Sequence, residues 1–177
     1  MAANKHTIIL LVRNRPGVLT RIASLFRRRL INIESLAVGH SETPGMSRMT
    51  IGVDGENVTM DQVVKQCQKL VDVVKVVDVS SEQTVQHELA MIMVDCPPEK
   101  RAELVALTDI YKSSIVDVGP DAIIIETVGD ESKVDSLIDL LAPYGIREIV
   151  RTGRVAMVRT SAAVDDGRKR FIRAIGA

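Results

Sequence analysis

Two short segments hold the residues best equipped to grip something. Asn14-Arg15-Pro16-Gly17-Val18-Leu19-Thr20-Arg21 reads as a tight turn opening a helix, and Ile31-Asn32-Ile33-Glu34-Ser35-Leu36 as the strand that follows. Proline presets φ near the helical value, and glycine lets the backbone come close to a ligand. The N–H groups of Gly17, Val18 and Leu19 fall where a helix has no acceptor of its own. A carboxylate can accept from such groups, with a dipole contribution of ~0.3–1 kcal/mol, rising to ~2 when partly buried. Asn14 and Asn32 each add a donor and an acceptor without charge, and their carbonyl oxygens suit an ammonium. Nearby Ile and Leu side chains, Ile33 among them, supply apolar walls. Brought together, these groups form a cradle for a small zwitterion such as an amino acid. The same residues also fit an ordinary turn, and an Asn before a strand often caps only its own loop.

A sensor working below millimolar concentration needs about −4 to −6 kcal/mol net. Burying an aliphatic side chain contributes ~1.5–3 kcal/mol of this. Discrimination by one methylene is modest, ~1–3 kcal/mol.

Bond-making machinery is harder to find. There is no Gly-x-Gly-x-x-Gly, no P-loop and no Gly-x-Ser-x-Gly elbow. His6, His40 and His87 are scattered without metal-ligand spacing. Asp95 beside Cys96 disfavours a thiolate nucleophile. Cys67 lies in a helical pattern and reads as a small buried hydrophobe. The two cysteines form neither a disulfide framework nor a metal motif.

Composition narrows the classes further. Of 177 residues 46% are apolar but only 2% aromatic, with no Trp, so the core is aliphatic and base-stacking platforms are not expected. Lys plus Arg and Asp plus Glu both number 23, and the zero net charge argues against nucleic acid and anionic membrane. No signal-peptide core and no membrane-length apolar run stands out, so a cytoplasmic location is expected.

The elements that position the two segments repeat. The first half reads strand (Thr7 to Val12), helix (Val18 to Phe26), strand (Ile31 to Val38), strand (through Met49, Ile51 and Val53), helix (Met60 to Leu70, with a capping box at Thr59) and strand (Val71 to Val79). Apolar alternation in the second strand slips phase near Glu34-Ser35, which predicts a bulge. The basic run Arg27-Arg28-Arg29 matches the helix dipole. The second half gives strand (Leu89 to Val94), helix (opening at Pro97-Pro98, with Leu104, Leu107 and Tyr111 inward), strands (Ile115 to Val118, Ala122 to Val128), helix (Val134 to Leu141) and strand (Ile146 to Val150), with Val155 to Val158 as a further strand.

This is α+β: two tandem ferredoxin-like βαββαβ units. The expected domains are 1–80 and 84–160, followed by a basic tail, 161–177. Thr7–Val12, Val73–Val77 and Ile123–Ile125 are apolar on both faces, whereas helices cover one. A second cover is therefore required, from a homodimer, from domain packing, or from both.

The quoted segments, with Ser47-Arg48-Met49-Thr50-Ile51 and Lys69-Leu70-Val71-Asp72-Val73, resemble the regulatory (small) subunits of acetolactate synthase, also called acetohydroxyacid synthase. Asn-Ile-Glu-Ser-Leu and Ser-Arg-Met-Thr are specific to that family; the looser Asn-x-x-Gly-Val-Leu turn is shared by ACT domains generally. The likeness covers about residues 5 to 160, including Arg151-Thr152-Gly153, and leaves out the tail.

The resemblance implies an N-terminal ACT domain, a second ferredoxin-like domain and a homodimer. It places a branched-chain amino acid effector, valine first, at the ACT dimer interface. Asn14, Gly17, Val18 and Leu19 of one subunit would then face Asn32 and Ile33 of the other. It implies no cofactor or metal on this chain and no catalysis by it. Thiamine diphosphate, Mg and FAD belong to a separate catalytic (large) subunit, a transferase that condenses pyruvate with decarboxylation. This chain would activate that subunit and make it sensitive to feedback in branched-chain amino acid biosynthesis. A free-standing tandem-ACT amino acid sensor acting on transcription or translation is the alternative reading.

Overall fold

Among the described residues nine strands and four α-helices follow one another as two βαββαβ runs with one extra strand. The computed structural model describes residues 5–54 and 60–161. The capping-box Thr59 and the tail from Ala162 lie outside the described residues. By compactness the chain divides into a first unit, running to Val85 and resuming at Ala156, and a second, Gln86–Val155.

In the first unit, β1 (Lys5–Arg13) leads to α1 (Val18–Arg27), whose buried Val18, Ile22, Leu25 and Phe26 recur at helical spacing. The helix stops by a reversal that closes its free carbonyls. Leu30 N–H bonds Arg27 O (3.0 Å) and Ile31 N–H bonds Phe26 O (3.2 Å), with Leu30 itself at φ 56°. This is the Schellman pattern, with leucine where glycine is usual.

β2 (Ile33–His40), β3 (Met46–Asp54), α2 (Met60–Cys67) and β4 (Val73–Asp78) complete the unit, in the sheet order β2-β3-β1-β4. The β2–β3 register shifts between Ile33 and Ser35, which is the bulge expected at Glu34-Ser35. β2 begins two residues later than the apolar pattern suggests, because Ile31 is spent on the helix stop.

Ile8 through Val12 are all buried. Ile8, Leu10 and Val12 join α1, α2 and β3 in the main core, while Ile9 on the other face packs with Val79 and Ala156. The second cover required by the two-faced strand therefore comes partly from the chain itself. The short strand β9 (Val155–Val158), an optional extra in the sequence pattern, supplies it. Cys67 is wholly buried, and burial pushes its thiol up to about 11, so it behaves as a hydrophobe.

The second unit comprises β5 (Thr84–Asp95), α3 (Arg101–Ile110, entered through a 3-10 turn at Pro98–Lys100), β6 (Ser114–Val118), β7 (Ala122–Gly129), α4 (Glu131–Leu141) and β8 (Ile146–Arg151). Its order is β6-β7-β5-β8, with β9 pairing β5. Ile92, Val94, Ile123, Ile125, Leu104, Leu137 and Leu141 form its core. On α3 the inward stripe includes Thr108, whose buried hydroxyl donates to Leu104 O at 2.8 Å. Asp130 caps α4 by accepting from the Lys133 N–H at 2.8 Å, and that bond holds its carboxyl below the usual range.

Phe26 is 1% exposed in the first core. Phe26→Ala is expected to cost about 3–5 kcal/mol, read as a lowered urea midpoint with an unchanged slope.

Candidate functional site

The turn after β1 is set by the ends of its two neighbouring strands. Arg13 N–H bonds Asp72 O and Asn14 N–H bonds Gly45 O, each at 2.8 Å. The chain then turns through Arg15 and Pro16 to Gly17, which stands as the helix N-cap at φ 83° and ψ −5°. A Cβ at Gly17 would meet nothing within 4 Å, so the position needs glycine for its dihedral and borders open space. No side chain caps the helix, and no acid lies in its first turn. Arg21, on the next turn, pairs with the largely buried carboxylate of Asp72 at 2.5 Å.

The free donors differ from the expected three in one respect. Val18 N–H makes a long bond to Arg15 O at 3.4 Å, while among the described residues no acceptor takes the N–H of Gly17 or Leu19. Val18 is buried and anchors the helix in the core; Leu19 is 43% exposed beside the turn. Asn14 and Gly17 are exposed. The arrangement offers two N–H groups, an amide, an aliphatic flank and no negative charge in the first turn, which suits a carboxylate.

Asn32 and Ile33 form the second half of the expected cradle. Asn32 is exposed, and its amide donates to Glu34 Oε1 at 2.5 Å. Ile33 is half-buried against the main core.

Within one chain the two halves do not meet. Ile33 is level with Val53, which is level with His6; Arg13 is level with Met46 at the other end of β3. β3 is 9 residues long, so about 25 Å separates the ends at ~3.3 Å per residue. Sequence proximity had suggested that one chain gathers both amides; the antiparallel register separates them. Because β2 is an edge strand, Asn32 and Ile33 remain available to a neighbouring chain.

The second unit repeats the backbone brace but not the site. Asp95 N–H bonds Gly145 O (2.9 Å) and Cys96 N–H bonds Asp121 O (2.8 Å), in the places of Arg13 and Asn14. Pro97 and Pro98 then stand in the places of Arg15 and Pro16, and Glu99 replaces the left-handed Gly17. Glu99 brings negative charge into the first turn, and Cys96 is buried where Asn14 is exposed. Arg147 fills this end of the sheet, donating to Asp95 Oδ1 (2.5 Å) and Asp121 Oδ2 (3.0 Å), and holds the Asp121 carboxyl below the usual range. The sequence signals for this difference were Pro97-Pro98 and Glu99. Only the fold shows that they are the counterparts of Arg15-Pro16-Gly17.

Among the described residues no three His, Cys, Asp or Glu side chains converge as a metal site. His6 bonds Ser80 Oγ at 3.1 Å. No described helix is long and apolar enough to cross a membrane.

An antiparallel four-stranded sheet with two helices on one face and an open, glycine-capped turn defines an ACT-type regulatory unit, here followed by a second ferredoxin-like unit. Residues 8–75 match the "AHAS small subunit-like ACT domain", and residues 87–160 match the family described as "Small subunit of acetolactate synthase". The chain is 55% identical to the probable acetolactate synthase small subunit of Archaeoglobus fulgidus, over 88% of this chain and 97% of that one. It is 46% identical to the Bacillus subtilis acetolactate synthase small subunit, over 88% and 91% of the two chains. The crystal structure of the Thermotoga maritima acetolactate synthase small subunit superposes with a TM-score of 0.80 at 44% identity, covering 88% of this chain and 97% of that one. The chain belongs to the acetolactate synthase small-subunit family, as its motifs led us to expect.

Two glycines separate backbone strain from clash. Gly17→Ala meets only the left-handed dihedral, so a loss of about 1–2 kcal/mol is expected. Gly145 has φ 92°, and a Cβ there would lie 2.5 Å from Asp95 Oδ2. Gly145→Ala should therefore lower the urea midpoint by more than Gly17→Ala.

Proposed function

We propose that this chain is the regulatory partner of a separate thiamine-dependent catalytic subunit, which it activates and renders sensitive to valine. Membership of a small-subunit family supports a regulatory, non-catalytic role. On this reading thiamine diphosphate, Mg and FAD sit on the large subunit, which condenses pyruvate with decarboxylation. This chain contributes binding and coupling, and works in the cytoplasm as a homodimer.

One observation carries the effector reading: the two halves of the cradle lie at opposite ends of one sheet, and one of them is on an edge strand. Antiparallel pairing of β2 with its two-fold copy sets the partner's β2 start level with this chain's β2 end. His40 pairs with Ser47, which pairs with Val12, so that is also the end where the Gly17 turn lies. The two-fold operation thus returns Asn32 and Ile33 to the level of Asn14, Gly17, Val18 and Leu19 without any change of fold. The Gly17 and Leu19 N–H groups then donate to the effector carboxylate, the Asn oxygens accept from its ammonium, and Ile33 and Leu19 flank its aliphatic side chain. For inhibition, valine must bind the less active assembly more tightly, with a useful coupling of ~1–3 kcal/mol.

Gly17→Asp puts a carboxylate where the effector's own would sit. Valine inhibition of the reconstituted enzyme should weaken by about tenfold or more, the equivalent of ~1.4 kcal/mol, while activation by the small subunit survives. Asn32→Ala should shift inhibition in the same direction and by less. An unchanged half-inhibitory valine concentration in Gly17→Asp would mean the pocket lies elsewhere.

A further inference from the structure

The Ser47-Arg48-Met49-Thr50 motif is not explained by the effector turn. Met49, Ile51 and Val53 point into the helix-side core, so by strand alternation Arg48 lies on the opposite face of β3. It sits level with Leu11 on one side and Gly39 on the other. Its guanidinium is removed far enough from water that burial lowers its pKa, with the charge of Glu42 acting in the other direction. A cation in that position requires acceptors, and one of them is Ala156 O, which Arg48 Nη2 reaches at 2.9 Å.

That acceptor belongs to β9, the point at which the chain re-enters the first unit. β9 has few other holds on this face. Ala156 is buried with Ile9 and Val79, and Val158 lies beside them, but Val155 and Met157 are more than half exposed. Just beyond the strand, Arg159 N–H bonds Gln83 O at 2.8 Å. A four-residue strand paired along one edge with β5, and held on this face among the described residues by a small buried side chain and the bond from Arg48, is an element that can dock on the face or release from it while keeping its ladder.

The other end of the same connection is the effector turn. Gly45, whose carbonyl fixes Asn14, lies three residues before Arg48, about 10 Å along an extended chain. A continuous series of bonds therefore runs from Asn14 through Gly45 and β3 to Arg48 and Ala156.

We propose that Arg48 is a coupling residue, whose bond to Ala156 straps β9 onto the first sheet and ties the effector turn to the returning chain. The assignment deepens the regulatory reading above and rests on it for the identity of the effector. Arg48 has no part in binding the effector: it sits on the sheet face away from α1. Its removal should separate binding from response. The physical element is β9 in two arrangements, docked and released, and the effector shifts the balance only as far as it favours one of them.

The test uses the full chain, alone and with its catalytic subunit, as wild type, Arg48→Lys and Arg48→Met. Arg154 and Arg159 flank β9, so trypsin reports on its docking. Arg48→Met should speed cleavage at these two sites by about tenfold, with Arg48→Lys, which keeps a donor, within about threefold of wild type. Valine binding to Arg48→Met by calorimetry should stay within about threefold, while the maximal inhibition of the reconstituted enzyme drops by half or more. If Arg48→Met does not fold, Arg48→Gln replaces it with the same expectations. Unchanged cleavage in the Met or Gln variant overturns the strap. Faster cleavage with inhibition intact overturns the coupling role. Wild-type chain that shows no heat with valine would defeat the effector assignment instead, and cleavage would still decide whether Arg48 holds β9.

Discussion

The strand at the centre of the first sheet is buried on both sides, and most of the unit's architecture answers that demand. Ile8, Leu10 and Val12 need one cover and Ile9 and Leu11 another. The two helices can meet only the first requirement, because both crossovers of a βαββαβ run fall on the same face. Apolar surface left in water would forfeit ~25 cal/mol per Å². The second face therefore takes Val77, Val79, Ala156 and Val158, and it also holds the guanidinium of Arg48. The return of β9 to that face therefore answers a packing requirement.

The two units show how one backbone device serves two ends. In each, successive N–H groups at the end of the first strand bond carbonyls at the start of the two flanking strands. That brace fixes where the following helix begins, whatever the side chains are. In the first unit the braced turn has glycine at a left-handed dihedral, no acid in the first helical turn and, among the described residues, two donors without acceptors. In the second, two prolines, a glutamate and the Asp95–Arg147–Asp121 group occupy the equivalent place. The duplicated fold keeps the scaffold and changes the chemistry of the turn, so likeness of fold alone does not tell the two turns apart.

Much of the architecture was legible in the sequence because it is written in local signals. Helical spacing in Val18–Phe26, alternation through Met49, Ile51 and Val53, and the phase slip at Glu34-Ser35 each act over a few residues, and the structure follows them closely. The ends were less legible. Ile31 reads as strand by its apolarity, but it closes the helix through a bond to Phe26, with Leu30 in a conformation usually left to glycine. Thr108 reads as polar and is buried because a hydroxyl can return to its own helix. Register was not legible at all. Asn14 and Asn32 are near in sequence, and only the order β2-β3-β1-β4 reveals that they stand at opposite ends of the sheet. The partnership of Arg48 with Ala156 spans more than a hundred residues, a distance no periodicity reports.

The return of the chain at Ala156 also bears on how the protein comes into being. The first unit is not a continuous stretch of sequence: the second unit is inserted between β4 and the strand that seals Ile9 and Val79. A ribosome therefore releases every strand of the first sheet well before the residue that finishes it. At about 5–20 residues per second, the seventy residues of Gln86–Val155 leave that aliphatic face waiting for several seconds. Contacts so distant along the chain also form slowly. For that interval the nascent sheet presents an aliphatic face that its own later sequence has yet to close.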